Sequence, residues 1–564
     1  MSDANRARGL DGSSSHEKLL FWACFIALIA TAFGFFVRGA LLDEWANIFG
    51  LNAVEKGQIN GVGIWPMGVS IILFSLVIDK IGYGKAMAFA FLAHVTYAIV
   101  VICAPMVLAP AGSDAAAVAA GQKSGYWMLY IGNLIFALGN GTVEAVINPV
   151  VATMFSRQKT KWLNILHAGW PGGLVLAGLM TIAMGTMDWR LKVGLIFLPV
   201  ITYGIMMLSC KFPINERVAG GASYQEMLSE LGMLGALIVV ALIVRETLGN
   251  VFGFDSLVVL GNLGNVFSFD NWSFHGTGFP IGIVLQIAVV VTAVVLFGIF
   301  ARSLGRPMMI FLLLIMIPLA TTEIGTDGWI TSLMEPQMHE LGLHAAWVLV
   351  YTSFIMMVLR FFAGPIVHRI SPLGLLAVSS IIAAIGLVFL SKAAGVGILA
   401  AATLYGFGKT FFWPTMLGVV SEQFPKGGAL TLNAQGGVGM LGVGVLGFPF
   451  IGLLQENAVR NEVQPAVYAQ VSTEKTGVFG KYQAVDPEKK KALREPDLSS
   501  LQKVEDSAKK GALAKMAIFP CIMLVCYLIL IAYFKSQGGY KAQVLVGHPD
   551  DPEKFTGGVE GPVE

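Results

Sequence analysis

Charged side chains set inside long apolar runs are the residues of this 564-residue sequence most able to do chemistry. Glu144 stands about midway along the apolar stretch 126–155. A carboxylate at that depth costs about 3 kcal/mol or more unless it meets a cavity or a partner. It therefore suits either proton uptake and release or a fixed ion pair. Lys409 has the matching place in a later run, set to pair with Glu144 or to offer donors to substrate oxygens. Glu323 and Asp327 are four residues apart, which puts them on one helical face, as a bound cation or a shared proton would require. Their segment, Pro318 to Trp329, is too polar to face lipid and reads as cavity lining. Arg38 sits late in the first run, and His167 carries an imidazole whose ordinary pKa of about 6.5 suits a proton relay as well as it suits packing. Asn148, Asn164, Asn433 and Gln435 are neutral groups fit for hydroxyl-bearing ligands. Trp170, Trp329 and Trp413 offer flat faces for stacking on a ring.

The elements that must position these groups are membrane helices. Hydrophobic residues make up 55% of the chain and charged residues 13%, with a mean hydropathy of +0.72. Soluble domains carry about 25% charge, so a soluble enzyme, a disulfide scaffold and a disordered chain are excluded. The net charge of +2 and the lack of a basic stripe give no nucleic-acid partner. The five cysteines, at 24, 103, 210, 521 and 526, have no metal-ligand spacing and read as buried free thiols. No phosphate-binding G-x-x-x-x-G-K-[ST] or redox motif occurs, so neither an enzyme nor a cofactor or metal site is expected.

Apolar runs near the ~20 residues that cross a bilayer core predict fourteen spans: 19–48, 59–79, 85–108, 126–155, 163–186, 191–210, 231–248, 279–301, 307–334, 344–367, 373–392, 395–420, 430–454 and 513–534. Placing the N-terminus inside puts eleven Lys and Arg in short inside loops against five outside, which favours both termini in the cytoplasm. Residues 1–18 and 535–564 are then cytoplasmic tails. The chain divides into a half at 19–210, a linker with two extra spans at 211–306, and a second half at 307–534. The second half carries a long polar external loop at 455–512, which reads as partly helical by its Lys/Glu content.

Two signatures repeat between the halves. Asp79-Lys80-Ile81-Gly82-Tyr83-Gly84-Lys85 and Gly364-Pro365-Ile366-Val367-His368-Arg369 both lie in predicted inside loops. They resemble the G-x-x-x-D-R-x-G loop of the major facilitator superfamily, with Ser75 in place of the leading glycine and His368 in place of the acid. Asp79, Lys80, Gly82, Gly364 and Arg369 are then candidate cytoplasmic gate residues, with Arg360 as an anchor for the second loop. Asn140 to Pro149 can be laid on Tyr405 to Pro414, so that glycines and prolines coincide and Glu144 falls on Lys409. The resemblance implies an all-α polytopic fold of two six-helix halves, here with an inserted two-helix hairpin.

Gly139, Gly141, Glu144, Asn148 and Pro149, followed by Leu163-Asn164, resemble the fucose–proton symporter family more specifically. That family has G-x-G-x-x-E-x-x-x-N-P in its fourth helix and L-N-x-x-Q opening its fifth; His167 stands where it has Gln. The implied function is cation-coupled uptake (proton or sodium) of a sugar or similar small polar solute, by a monomer in a bacterial inner membrane. Substrate contacts would come from Arg38, Asn148, Asn164, His167, Trp329, Lys409, Trp413, Asn433 and Gln435, and coupling from Glu144, Glu323 and Asp327. The charges of Arg38 and Lys409 keep an organic-anion transporter or exchanger as an alternative, and the external loop keeps a non-transporting sensor.

Overall fold

A computed structural model describes residues 14–51, 53–253, 281–543, 545 and 555–556. Twelve helices among them are long and apolar enough to cross a membrane. The first half comprises α1 (Ser15–Phe49), α2 (Glu55–Ile81), α3 (Tyr83–Val107), α4 (Ala115–Met154), α5 (Lys159–Met184) and α6 (Trp189–Leu208). The inserted pair is α7 (Tyr224–Val251) and α8 (Ile281–Ala301). The second half contains α9 (Pro307–Glu340), α10 (Ala346–Phe361), α11 (Pro372–Lys392), α12 (Gly397–Lys409), α13 (Phe412–Gln423), α14 (Pro425–Glu462) and α15 (Asp497–Ser536). The expected span 395–420 is thus two helices, α12 and α13, meeting at Thr410-Phe411. The span 344–367 is α10 followed by a short helix, Ala363–Ile370.

Local chemistry sets the ends. Ser14 and Glu17 form a reciprocal capping box at α1 and Ser223 and Glu226 do so at α7, each satisfying two orphan amides. Asp114 caps α4 by accepting from the Ala117 amide at 2.7 Å. Gly232 breaks α7 with φ 60°, and Gly305 has φ 99°, conformations costly for any residue with a Cβ. Their backbones touch there, and the Met233 and Leu234 amides donate to the Ser303 and Leu304 carbonyls at 2.9 and 3.1 Å. That clasp fixes the inserted pair, which packs on α9 and α14 and leaves α8 as the most exposed membrane helix. The expected connector of this pair, Asn250 to Gly278, lies largely outside the described residues.

The two halves meet along α2 with α14 and α5 with α10 and α13. A Cβ at Gly68 would fall 2.8 Å from the Gly437 carbonyl, so glycine on both sides lets these backbones close up. The segment 455–512 is ordered beyond expectation. It holds a helix at Pro465–Val471, an antiparallel hairpin of Ser472–Gly477 with Gly480–Val485, and the start of α15. Val459, Val463, Val467, Val471 and Leu501 give it a small core of its own. Of the five thiols, Cys24 and Cys210 are buried as expected, whereas Cys521 is exposed.

Candidate functional site

Proline positions shape the centre. A helical carbonyl four residues before a proline has no N–H to accept. Pro149 leaves the Ala145 carbonyl in this state, and Asn433 of α14 donates to it at 2.9 Å across the halves. Pro414 does the same to Thr410, where α12 gives way to α13. The Arg360 Nε of α10 donates to that carbonyl at 2.7 Å.

A cavity with room for about one water lies between the halves, lined by Met67, Glu144, His167, Trp170, Glu323, Ile324, Arg360, Trp413 and Met440. Glu144 is 3% exposed. Its Oε2 accepts from Asn148 Nδ2 at 2.6 Å and lies 3.9 Å from His167 Nε2. His167 Nε2 in turn bonds Asn148 Oδ1 at 2.9 Å. Lys409 was expected opposite Glu144, but its ammonium pairs with Asp327 and lies over the Tyr405 ring. Glu323 pairs with Arg360 at 2.7 Å and accepts the Trp413 amide at 3.0 Å. Glu323 and Asp327 therefore do not form a shared site: each has its own cation. Glu323 lies in a wider, π-type turn at Thr321–Gly325, ahead of the regular helix that carries Asp327. Among the described residues, Glu144 alone of these three acids has no Lys or Arg ion pair.

Arg360 does not anchor the Gly364 loop as expected; it points into the centre of the molecule. The remaining gate residues stay at one end, the Asp79 side. Asp79 pairs with Arg217 at 2.6 Å, Lys80 lies over the Tyr224 ring, and Gly82 joins α2 to α3 at φ 84°. Gly364 packs on the Lys161 stem, and Arg369 is exposed. This end is sealed. Thr160 donates to Glu422 Oε1 from its amide and its hydroxyl at 3.1 and 2.6 Å, and Lys159 donates to the Ser421 carbonyl at 3.0 Å. Asn164 belongs to the same seal, donating to Thr415 Oγ1 at 3.1 Å. The seal extends to the C-terminal segment. Tyr540 donates to Glu422 Oε2 at 2.7 Å, and the Gln543 amide to the Glu422 carbonyl at 2.8 Å.

At the opposite end, a cavity of about 390 Å³ opens between the halves, bordered by Phe36, Asn60 and Lys192 on one side and Asp327, His344 and Phe448 on the other. The sequence-predicted residues thus divide. Glu144, His167, Glu323, Arg360, Trp170 and Trp413 converge on the central cavity, with Asn148 just behind. Gln435 is occupied with the Leu312 carbonyl at 2.9 Å, and Trp329 lies against Gly452. Arg38 is 1% exposed and donates to the Gly63 carbonyl at 3.2 Å. Arg217 and Glu422 escaped sequence reasoning, because each acts on a partner more than a hundred residues away and neither lies in a motif. His94 was also missed: it is buried within α3, bonded to Asn140 at 3.0 Å and Tyr203 at 3.1 Å. Its lone place in an apolar run was the available signal. No group of His, Cys, Asp and Glu fit to hold a metal occurs among the described residues.

No protein-family model matches the chain, and no curated protein matches it in sequence. Solved structures do. A double-tryptophan mutant of the xylose transporter XylE from E. coli is similar at 11% identity and a TM-score of 0.58, over 94% of this chain and 98% of that one. The proton:xylose symporter XylE bound to 6-bromo-6-deoxy-D-glucose matches at 12% identity and a TM-score of 0.51, over 90% and 95%. A bacterial homologue of the human drug peptide transporters matches at 11% and 0.50, over 92% and 99%. Identities this low bear on architecture alone, and the paired helical bundles about a charged central cavity are those of a multi-pass membrane protein with the major facilitator fold.

Proposed function

We propose that the chain is a proton-coupled secondary transporter of a small polar solute, most simply a sugar, working by alternating access. The Asp79 side faces the cytoplasm in this reading, with both termini, and the described conformation is open toward the outside. One observation carries the proposal: of the three acids named for coupling, Glu144, Glu323 and Asp327, Glu144 alone has no Lys or Arg ion pair among the described residues. Closing a cavity over an ionised carboxylate is costly, whereas the protonated acid can pass through an enclosed state and donate a hydrogen bond. Glu323 and Asp327, each already paired, are poorer proton carriers and poorer sodium ligands. Trp170 and Trp413 supply flat apolar faces beside that acid, an arrangement suited to a sugar ring.

The test begins with thermal-shift screening of neutral sugars and small acids, since a ligand at a hundred times its Kd adds about 2.7 kcal/mol. With a hit in proteoliposomes, Glu144→Gln is expected to retain exchange and lose accumulation driven by a pH gradient. Uphill accumulation by Glu144→Gln would remove Glu144 from the coupling role. An organic-anion substrate is the second reading, favoured by Arg38, which is buried with no carboxylate ion pair among the described residues. Counterflow by charged but not neutral solutes would promote it.

A further inference from the structure

Arg360 donates from all three of its nitrogens: Nε to the Thr410 carbonyl, Nη1 to the His167 carbonyl and Nη2 to Glu323 Oε1, each at 2.7 Å. The two carbonyls share a cause. Four residues beyond Thr410 stands Pro414, and four beyond His167 stands Pro171; neither can donate the helical bond. One guanidinium therefore completes two interrupted helices, α5 in the first half and α12–α13 in the second. Its rigid fork of five N–H donors makes this possible, and a lysine ammonium cannot span the same three acceptors in one plane.

The bond to His167 also places Arg360 in a chain. Glu144 accepts from Asn148, Asn148 bonds the His167 ring, the His167 carbonyl accepts from Arg360, and Arg360 pairs with Glu323, which accepts the Trp413 amide. Arg360 and Glu144 line one cavity from opposite halves. The titratable groups facing that space are Glu144 and His167 from the first half and Glu323 from the second, with the Asp327–Lys409 pair one helical turn away.

Resting on the proton-coupled reading above, we propose that Arg360 is the positioning residue that converts the charge on Glu144 into attraction between the two halves. When Glu144 is ionised, the guanidinium faces a carboxylate in each half and draws α4 and α5 onto α9 and α10. When Glu144 takes up a proton, Glu323 remains the carboxylate partner. The bridge to the first half is then the single bond to a neutral carbonyl, and the halves part more readily. A brace without this role would hold the helices equally at every pH.

The experiment needs no substrate. Spin labels are placed at Lys85→Cys and Arg369→Cys, exposed positions on the Asp79 side of each half, in the full chain freed of its native thiols. Electron–electron distances are then followed from pH 5 to 8.5 in nanodiscs. The parent chain is expected to exchange a shorter for a longer distance as pH falls, and Glu144→Gln to rest at the acid-limit distribution throughout. Arg360→Gln should remove the pH dependence, and Arg360→Lys should restore it with a midpoint moved by about one pH unit, tenfold in proton activity. Should Arg360→Gln fail to fold, Glu323→Gln carries the test: freeing the guanidinium for Glu144 should enlarge the short-distance population at high pH. Parent-like titration of Arg360→Gln, or of Glu323→Gln, with Glu144→Gln inert, overturns the role of Arg360 alone. Absence of any pH response in the parent overturns the proton-coupled reading and this inference together.

Discussion

The Asp327–Lys409 pair should be asymmetric in its response to mutation. Both side chains are nearly sealed from solvent, 0% exposed for Lys409 and 4% for Asp327. Their surroundings differ. Asp327 borders the cavity of about 390 Å³, so an unpaired Asp327 carboxylate can be hydrated from there. Lys409 has the Tyr405 ring beneath it and does not border that cavity. Removing one partner of a buried pair typically costs about 3–5 kcal/mol because the other charge is stranded. Asp327→Asn strands Lys409 in the sealed position and should cost in that range. Lys409→Met strands the acid next to water and should cost about 1–3 kcal/mol, discounted for hydration. The double substitution leaves no charge behind and should be no worse than Asp327→Asn alone, with a coupling energy of about 1–3 kcal/mol. Thermal unfolding of the four purified proteins in one detergent gives the cycle. A Lys409→Met protein less stable than Asp327→Asn, or an additive double variant, would refute the argument that cavity access sets the cost.

Gly68→Val should lower the melting temperature by the equivalent of about 1–3 kcal/mol, since the new Cβ meets the Gly437 carbonyl at 2.8 Å; an unchanged melting curve would mean the α2–α14 contact gives way freely. Tyr540→Phe removes the bond to Glu422, and a loss of about 1 kcal/mol predicts roughly fivefold faster hydrogen exchange over 538–543. Equal exchange would show that the backbone bonds alone hold that segment. Single cysteines at Asn250 and Ser303 should react with impermeant reagents from opposite faces, external and internal in the proposed orientation, and labelling from one face would break the α7–α8 topology.

Much of the fold was legible because its determinants are local. Twenty apolar residues in a row must satisfy their own backbone within the bilayer, so the spans, the extra pair and the repeated Gly–Pro pattern of 140–149 and 405–414 follow from order along the chain. The same locality identified Glu144, His167 and Trp413, set within polar or repeated motifs. What only the tertiary structure decided is who meets whom. Lys409 and Glu144 are related by the repeat, yet Lys409 turns to Asp327; Arg360, read as a loop anchor, lies at the centre; Asp79 finds Arg217, 138 residues away. Such pairings depend on the rotation of each helix about its axis. One π-type turn at 321–325 or one proline-freed carbonyl at Thr410 changes that rotation or adds an acceptor, and spacing along a regular helix does not register either. Order along the chain placed Glu144 and Lys409 near mid-span; helix packing determined that Glu323 and Asp327 would each meet a cation, while Glu144 has no Lys or Arg ion pair among the described residues.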